Sequence, residues 1–485
     1  MAAFIVLLLI IAHRLLRFDL LLFPNTKPQF WLFGLFAVSI AWEVSRGLFF
    51  GIKSGKRFGF PISSWSIILD KIRTNFSFII AIQWFLFFWS LISRLVSDGL
   101  DALEPFMIGD YSKDIVFISA VALVLTHLDR FRIVFGLLVV VLVFVSLTVI
   151  PQRYGEKRCH YFRVASLLNY EQTTDRRPCR NTAECYEIPR HEQHLREHGW
   201  ACERTGPLNL ATVVGRVHYA GNLNDPNTLA LTLVLGVSLM FGLAAWPGRR
   251  KYRWLWLIGL PVFTFAIILA ASRAAQLALG IVLFFSFCFC FGKRTAFLAI
   301  FLSAPLAIYT TRNEAEAAYS TITRIMTYLN GFYAFRDYPV FGVGFANYER
   351  ISFLNAHNSF LQALVETGVL GGSLYVSGIY SAIKFLIGII YVPSKELSTS
   401  PRYLEIRHVA RTLLIMFLGV LPCAFFLSLA FDFLWLLPIA LVAGLELFVR
   451  REFPADRLTL RVGEFLLVCL ATLLLVGVFV FVTAR

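Results

Sequence analysis

The sequence predicts an all-α protein, a polytopic membrane helical bundle of about 12–13 transmembrane helices with two long extracytoplasmic loops. Of its 485 residues, 58% are hydrophobic and only 15% are charged, which excludes an ordinary soluble domain. The apolar runs are continuous, for example over residues 133–150, and lack the alternation of a strand. In lipid only helices and closed barrels satisfy their own backbone hydrogen bonds, so these runs predict helices.

Apolar segments of spanning length recur along the whole chain. The first has no basic segment before it and is followed by His13 and Arg14, so we interpret it as a retained span and not as a cleaved signal peptide. Segment 357–391 is expected to be bent or partly re-entrant. The predicted spans are 4–23, 29–50, 76–97, 114–128, 131–150, 223–246, 254–271, 274–291, 295–311, 357–391, 412–430, 433–449 and 462–482.

The charged residues between the spans predict the orientation of the bundle. Most short connections are rich in Lys and Arg and fall on one side, which the positive-inside rule identifies as the cytoplasm. The opposite short connection, 98–114, is acidic. The predicted regions are therefore 1–150 (N-terminal helices), 151–222 (an extracytoplasmic loop with cysteines), 223–311 (central helices), 312–356 (a second extracytoplasmic loop) and 357–485 (C-terminal helices).

The formal net charge of +15 is compatible with several anionic partners. Most of the positive charges lie in loops, and the chain has no Lys/Arg-rich tail and no aromatic platform for bases. We therefore expect membrane lipid and a phosphate-bearing substrate as partners, and no nucleic acid.

The first long loop holds an even number of cysteines, which predicts two disulfides if this side is oxidising. Three pairings are possible among Cys159, Cys179, Cys185 and Cys202. The alternative is a zinc site that recruits loop histidines, although no CxxC pair accompanies them. The histidines in question are His160, His191, His194 and His198.

The first polar element that indicates chemistry precedes the span at 223–246. Asp225 is placed to cap a helix, and Pro226 fits its first turn because the missing N–H is not needed there. Arg216 is then held above a helix N-terminus, where free N–H groups and the dipole favour an anion. We interpret the cap residues as structural and Arg216 as an anion-binding residue.

The second element is Ser272-Arg273-Ala274-Ala275, which joins two apolar runs without room for a loop. Arg273 is therefore predicted at the outer membrane boundary, with small neighbours that leave space around its guanidinium. The planar guanidinium can donate two parallel hydrogen bonds to phosphate oxygens, like the prongs of a fork. The alternative is an arginine at a helix end that extends to the membrane interface.

The third element runs from Gly342 to Gly372 and contains His357. A helix that starts near Ala356 would place Asn358, Gln362 and Glu366 on one polar stripe, with His357 at its outer tip. Ionisable groups at membrane depth usually face a cavity or a partner, so this stripe predicts a working pocket. The alternative is a loop anchor with a helix-packing stripe. The residues expected to support the site are Asn358, Tyr348, Glu366 and Arg324.

Two arginines and one histidine on a common outer face match a definite reaction type. A lipid-linked diphosphate sugar has a doubly charged leaving group, which arginines can bind and stabilise without a metal. A histidine near neutral pKa can accept the proton of an acceptor hydroxyl as it attacks the anomeric carbon. No metal and no other cofactor is expected.

These motifs, in this order, resemble the O-antigen ligase and polymerase superfamily. They are Arg216 and Gly221 before Asp225-Pro226-Asn227, then Ser272-Arg273-Ala274, then Gly342-Val343-Gly344, Ala356-His357-Asn358-Ser359-Phe360-Leu361 and Glu366-Thr367-Gly368. The resemblance covers roughly residues 210–390. It implies a multi-pass enzyme of the bacterial inner membrane that moves a glycan from undecaprenyl diphosphate to an acceptor on the periplasmic side, without metal or nucleotide.

The resemblance also implies that Arg216 and Arg273 bind the diphosphate and that His357 is the catalytic base. Many relatives have a second histidine where this chain has Asn355, which leaves His357 as the sole base. Lipid A core is the expected acceptor, which makes an O-antigen ligase the leading hypothesis. A polymerase that uses a second lipid-linked repeat unit and a protein O-oligosaccharyltransferase are the alternatives within the superfamily.

Two hypotheses from other functional classes remain open from the sequence alone. A transporter would place polar residues through the whole bilayer depth, with broken helices and inverted repeats. Here the polar residues cluster at one face, and we find no internal repeat. The other hypothesis is a non-catalytic scaffold for envelope assembly.

Overall fold

The computed structural model describes residues 2–16, 77–125, 127–164, 170–186, 200–248, 254–292, 314–352, 354–391, 401–452, 463–468, 470–472 and 474. The chain divides into two compact units. The first comprises Met1–Arg57, Val134–Ala245 and Arg249–Thr311, and the second comprises Phe58–Ile133, Trp246–Gly248 and Arg312–Arg485. Arg216 and Arg273 belong to the first unit, and His357 belongs to the second.

The described helices are α1 (Ala2–Leu16), α2 (Phe78–Asp98), α3 (Leu103–Ile108), α4 (Asp110–Val124), α5 (Leu128–Val149), α6 (Pro226–Ala244), α7 (Leu255–Leu269), α8 (Arg273–Phe291), α9 (Glu314–Asp337), α10 (Tyr348–Ile351), α11 (Ser359–Tyr391), α12 (Pro401–Ala424) and α13 (Phe433–Glu452).

Six segments within the described residues are helical, long and apolar enough to cross a membrane. They are Phe78–Asp98, Leu128–Tyr154, Pro226–Ala244, Ser359–Tyr391, Arg402–Ala424 and Phe433–Glu452; shorter apolar helices cover Leu257–Leu269, Arg273–Phe289 and Gly463–Thr472. The predicted fold class, a polytopic helical bundle, is confirmed. The predicted spans 29–50 and 295–311 lie outside the described residues, so the total of about 12–13 spans stays a prediction.

Helix α6 forms the core of the first unit and packs against α7 and α8. Nearly all of its side chains are buried. Gly236 permits this close packing, because a Cβ at that position would lie 3.0 Å from Leu142 of α5 and 3.1 Å from Phe263 of α7. The N-terminus of α6, which bears the first predicted motif, is therefore held by a tightly packed helix.

Helix α11 packs against α2 and α12 in the second unit, while α13 packs against α4 and α12. A buried carboxylate fixes the start of α2. Glu446 accepts hydrogen bonds from Ser77 Oγ at 2.6 Å and from the backbone N–H of Ile79 at 3.3 Å. It also forms an ion pair with the Arg450 guanidinium at 2.6 Å. This arrangement satisfies free N–H groups of the helix end at the same time as it pairs the charge.

The first long loop contains a small antiparallel sheet, which no pattern in the sequence indicates. Its strands are β1 (Lys157–Val164), β2 (Tyr170–Pro178) and β3 (Trp200–Arg204), in the order β2-β1-β3. Disulfides join Cys159 to Cys185 and Cys179 to Cys202, one of the three pairings open to the sequence. Sulfurs bonded in this way do not offer thiolates to a zinc ion. We call the three strands and residues 179–186 the cap.

His160 on β1 and its neighbour His218, which lies outside the cap, predict that the cap loses stability in acid. Burial, with the charges of Arg158 and His218, lowers the pKa of His160 from 6.5 to about 4, and burial also lowers the pKa of His218. Between pH 6.5 and about pH 4, the unfolded chain binds more protons than the folded chain. The stabilisation is therefore fully present above pH 6.5 and falls as the pH decreases towards 4.

Limited proteolysis of the cap across this pH range measures the effect. We expect faster cleavage in acid for the wild-type protein and a flatter pH dependence for His160→Gln, because glutamine can keep a hydrogen bond to Thr205 without a proton to gain. The same change at exposed His127, outside the cap, is the matched control. A cleavage rate that does not change with pH in the wild-type protein would contradict this account.

Candidate functional site

Arg216 ends a tight turn in the segment that leads to α6, which begins at Pro226. The backbone N–H of Val213 donates to the carbonyl of Arg216 at 2.9 Å, and the backbone N–H of Arg216 donates to the carbonyl of Val213 at 3.0 Å. The guanidinium is held on two sides. Its Nε donates to the Ala270 carbonyl at 2.8 Å, and its Nη2 donates to Asn227 Oδ1 at 2.8 Å.

The N-terminus of α6 has the cap that its sequence predicts. Asp225 Oδ1 accepts from the N–H groups of Asn227 at 2.7 Å and Thr228 at 3.0 Å, and Pro226 occupies the first position of the helix. Asn227 has a second role that the sequence did not reveal, since its side chain fixes Arg216. Arg216 is thereby placed at the start of this helix, where an anion is favoured.

Arg273 is the first residue of α8 and is exposed. The turn before it is sharp, because Ala271 has a φ of +49°. Arg216 binds the carbonyl of Ala270, at the start of the same turn. The first unit therefore places the Arg216 guanidinium beside the turn that leads into Arg273 and the N-terminus of α8.

Gln276 lies one helical turn after Arg273 and was not predicted as a site residue. It is only 4% exposed, and neither its Nε2 nor its Oε1 makes a hydrogen bond among the described residues. A buried amide without a partner costs free energy, so each such group calls for an explanation.

His357 has a strained backbone that is held from both sides. Its φ of +47° lies in the left-handed region, which is uncommon for a residue other than glycine. Its N–H donates to Ser428 Oγ at 2.8 Å, and its carbonyl accepts from Tyr328 Oη at 3.1 Å. Strain of this kind persists only where the surroundings fix it, and it is concentrated at functional sites.

Tyr328 of α9 gathers several of the predicted residues around His357. Its pKa is raised, chiefly by burial, while the nearby charge of Arg324 and a hydrogen bond with the Asn358 side chain act in the opposite direction. Arg324, His357 and Asn358 therefore lie together in the second unit. No local pattern indicates Tyr328 as a site residue, because it lies 29 residues before its partner His357.

The helix after His357 starts later than predicted. It begins at Ser359 and not near Ala356, because Asn358 acts as its cap: Asn358 Oδ1 accepts from the N–H groups of Phe360 and Leu361, each at 3.0 Å. Ser359 Oγ in turn donates to the Leu427 carbonyl at 2.7 Å. The expected stripe of three helical residues is therefore replaced by a cap followed by Gln362 and Glu366.

Glu366 and Tyr348 fix the second loop to the bundle. Glu366 is 2% exposed and accepts from the N–H of Ala346 at 3.1 Å. Tyr348 is fully buried and donates to the Thr327 carbonyl at 2.9 Å; its pKa is raised, chiefly by burial. Both contacts lie between residues 338–351 and the helices on either side of that segment.

The C-terminal end of α2 holds the same segment from another direction. Asn347 Nδ2 donates to Asp98 Oδ1 at 3.1 Å and to the Val343 carbonyl at 3.0 Å. Asp98 also pairs with Arg94 at 2.8 Å and with Arg350 at 2.7 Å. This network joins residues far apart in the chain, so no local pattern could have predicted it.

One family model matches the chain. It is described as O-antigen ligase and covers residues 227–376, which include Arg273 and His357 and begin after Arg216. The match confirms the superfamily resemblance over residues 227–376 and supports glycosyltransferase activity of the ligase and polymerase type. A search of curated proteins found no match.

Proposed function

We propose that this chain, of which residues 227–376 match the O-antigen ligase family, transfers a glycan from undecaprenyl diphosphate to lipid A core with inversion at the anomeric carbon. The reaction takes place on the periplasmic face of the bacterial inner membrane. The observation that carries the proposal is the backbone of His357, which lies within the matched segment and is held in the left-handed region by Ser428 and Tyr328.

His357 acts as the base in this mechanism. The acceptor hydroxyl oxygen attacks the anomeric carbon of the donor, and the bond from that carbon to the diphosphate oxygen breaks as the new glycosidic bond forms. The hydroxyl proton passes to the His357 imidazole. Fixing the backbone on both sides limits the positions of the ring, which favours an attack geometry that a mobile side chain would seldom reach.

Arg216 and Arg273 bind the diphosphate that leaves. Its negative charge grows as the glycosidic bond breaks, and guanidinium groups stabilise such charge without a metal. The contacts of Arg216 with Ala270 and Asn227 support this role, because they orient the guanidinium before the substrate arrives. Asn358 and Arg324 add polar groups beside Tyr328, while Tyr348 and Glu366 keep the second loop in place.

Transfer from purified lipid-linked donor to lipid A core, measured in detergent with EDTA present, tests the proposal. We expect core-linked product from the wild-type protein. We also expect a loss on the order of 10²-fold in kcat/KM for Arg273→Lys, because lysine keeps the charge but loses the planar fork. Arg158→Lys in the cap, where an exposed ion pair with Glu156 is retained, is the matched control.

Four results would contradict parts of the proposal. Full activity of Arg273→Lys would show that transfer does not need the planar fork of Arg273 and that a positive charge at this position is sufficient. Activity that EDTA abolishes and a divalent cation restores would refute metal independence. Extension of the donor chain in place of core-linked product would identify a polymerase, and transfer to added protein alone would identify a protein O-oligosaccharyltransferase.

A further inference from the structure

The turn before Arg216 is strained. Its two central residues, Val214 and Gly215, both have positive φ, at +52° and +70°. A hairpin turn with two such residues is ordinarily built from Asn-Gly or Gly-Gly, and a β-branched residue with positive φ is a genuine outlier. Val214 is also 63% exposed, so burial of its side chain does not offset the strain.

A single carboxylate holds this turn. Glu203 Oε1 accepts from the N–H of Val214 at 2.8 Å, and Oε2 accepts from the N–H of Gly215 at 3.1 Å and from Thr212 Oγ1 at 2.5 Å. Hydrogen bonds to an ionised acceptor are roughly twice as strong as neutral ones. Glu203 therefore compensates for the strain at both central residues.

Glu203 connects the turn directly to the cap. It lies on β3, next to Cys202, which is bonded to Cys179. The neighbouring strand β1 places Cys159 opposite Cys202. A continuous path of covalent bonds and charge-assisted hydrogen bonds thus runs from the disulfides through Glu203 and the turn to Arg216.

The other flank of the turn is held as well. Gln152 Nε2 donates to the His218 carbonyl at 2.8 Å, and the His218 N–H donates to Gln152 Oε1 at 3.2 Å. The Val217 N–H donates a hydrogen bond to the Leu269 carbonyl at 3.4 Å. The backbone after Arg216 is fixed in this way, and Glu203 holds the backbone before it. The turn thereby presents the Arg216 side chain to its contacts with Ala270 and Asn227.

We propose that Glu203 is a positioning residue for Arg216, through which the disulfide-bonded cap sets the affinity for the diphosphate of the donor. The inference rests on the diphosphate-binding role of Arg216 proposed above. Glu203 does not touch the substrate in this scheme. Its carboxylate holds the Val214–Gly215 turn, and the turn holds Arg216.

Kinetics of the full-length protein test the inference through Glu203→Ala. We expect the KM for the lipid-linked donor to rise about tenfold, with a smaller change in kcat, and the binding of undecaprenyl diphosphate in detergent to weaken by a similar factor. Glu184→Gln is the matched control, because Glu184 accepts from the N–H of Arg180 at 2.8 Å in the same cap.

A rescue variant separates positioning from general damage to the cap. Adding Val214→Asn to Glu203→Ala creates the Asn-Gly sequence that such turns prefer, so we expect the donor KM to return towards the wild-type value. A role confined to cap stability would not respond to this change. If Glu203→Ala fails to form both disulfides, Glu203→Gln replaces it, since glutamine keeps the size and one acceptor oxygen.

The double variant with Arg216→Ala decides whether Glu203 acts through Arg216. We expect it to be no more impaired than Arg216→Ala alone, because the turn then has no guanidinium to position. Losses that multiply in the double variant would overturn the inference, as would a wild-type donor KM for Glu203→Ala beside an impaired Arg216→Ala. Full activity of Arg216→Ala would overturn the diphosphate role itself, and the inference with it.

Discussion

Replacing His357 is expected to lower kcat for glycan transfer by about 10²- to 10⁴-fold, the range that general base catalysis contributes. The donor KM is expected to change little, because the diphosphate is bound by the arginines and not by the imidazole. A loss confined to kcat is what removal of a group that acts in the transition state produces.

The choice of substitution follows from the backbone of His357. At a φ of +47° an alanine adds strain, whereas asparagine adopts the left-handed region several-fold more readily than most residues. His357→Asn therefore keeps the local backbone, with its contacts to Ser428 and Tyr328, and removes the base. We expect this variant to match the wild-type protein in yield and thermal stability while it loses transfer.

Two measurements complete this test. His408→Asn in α12, whose ring lies edge to face with Trp246 at 5.4 Å, is a matched control for loss of an imidazole elsewhere in the second unit. A pH profile of kcat/KM in the wild-type protein should show an acid limb that reports the base. Full transfer by His357→Asn, or the same acid limb in its residual activity, would exclude His357 as the base.

The local features of the candidate site could be predicted from the sequence, since each depends on neighbouring residues. Asp225 and Pro226 predict the start of α6, and the Ser272-Arg273 junction predicts the start of α8, because cap and turn chemistry acts over a few residues. The predicted start of α11 is too early for a related reason. The sequence is compatible with Asn358 either in a helical stripe or as a helix cap. The structure shows the cap, because Asn358 Oδ1 accepts hydrogen bonds from the N–H groups of Phe360 and Leu361.

The partners that fix these features could not be predicted, because they come from distant parts of the chain. Ser428 lies 71 residues after His357, and Ser93 of α2 donates to the carbonyl of Glu366, 273 residues away. The cap sheet was missed for the same reason, since β1 and β3 pair across about forty residues with no shared local pattern. Residue identity in a motif indicates chemistry, but positioning depends on non-local contacts that only the fold provides.

Gly368 is the position where a single methyl group is expected to destabilise the protein most. It breaks α11 with a φ of +68° and a ψ of −172°, a conformation that is essentially restricted to glycine. A Cβ there would lie 2.0 Å from the Val340 carbonyl oxygen and 2.8 Å from the Phe341 nitrogen. Both are backbone atoms, which cannot rotate away as a side chain could.

The break at Gly368 is also where the second loop attaches to the bundle. The Val369 N–H donates to the Pro339 carbonyl at 2.9 Å, and the Val343 N–H donates to the Val365 carbonyl at 2.9 Å. Trp89 Nε1 donates to the Thr367 carbonyl at 2.7 Å, and its ring stacks on Phe341 at 5.2 Å. A shift of residues 339–343 would disturb all of these contacts together.

Gly368→Ala is therefore expected to cost more than about 3 kcal/mol, the sum of a disfavoured backbone conformation and a displaced loop. Retention of a monodisperse peak in detergent after heating measures the loss, and glycan transfer should fall with it because the displaced segment leads to His357. Gly136→Ala in α5 is the matched control, since a Cβ there meets no atom within 4 Å and alanine favours the helix. If both variants melt with the wild-type protein, the close approach of Gly368 to Val340 is not what holds the second loop on α11.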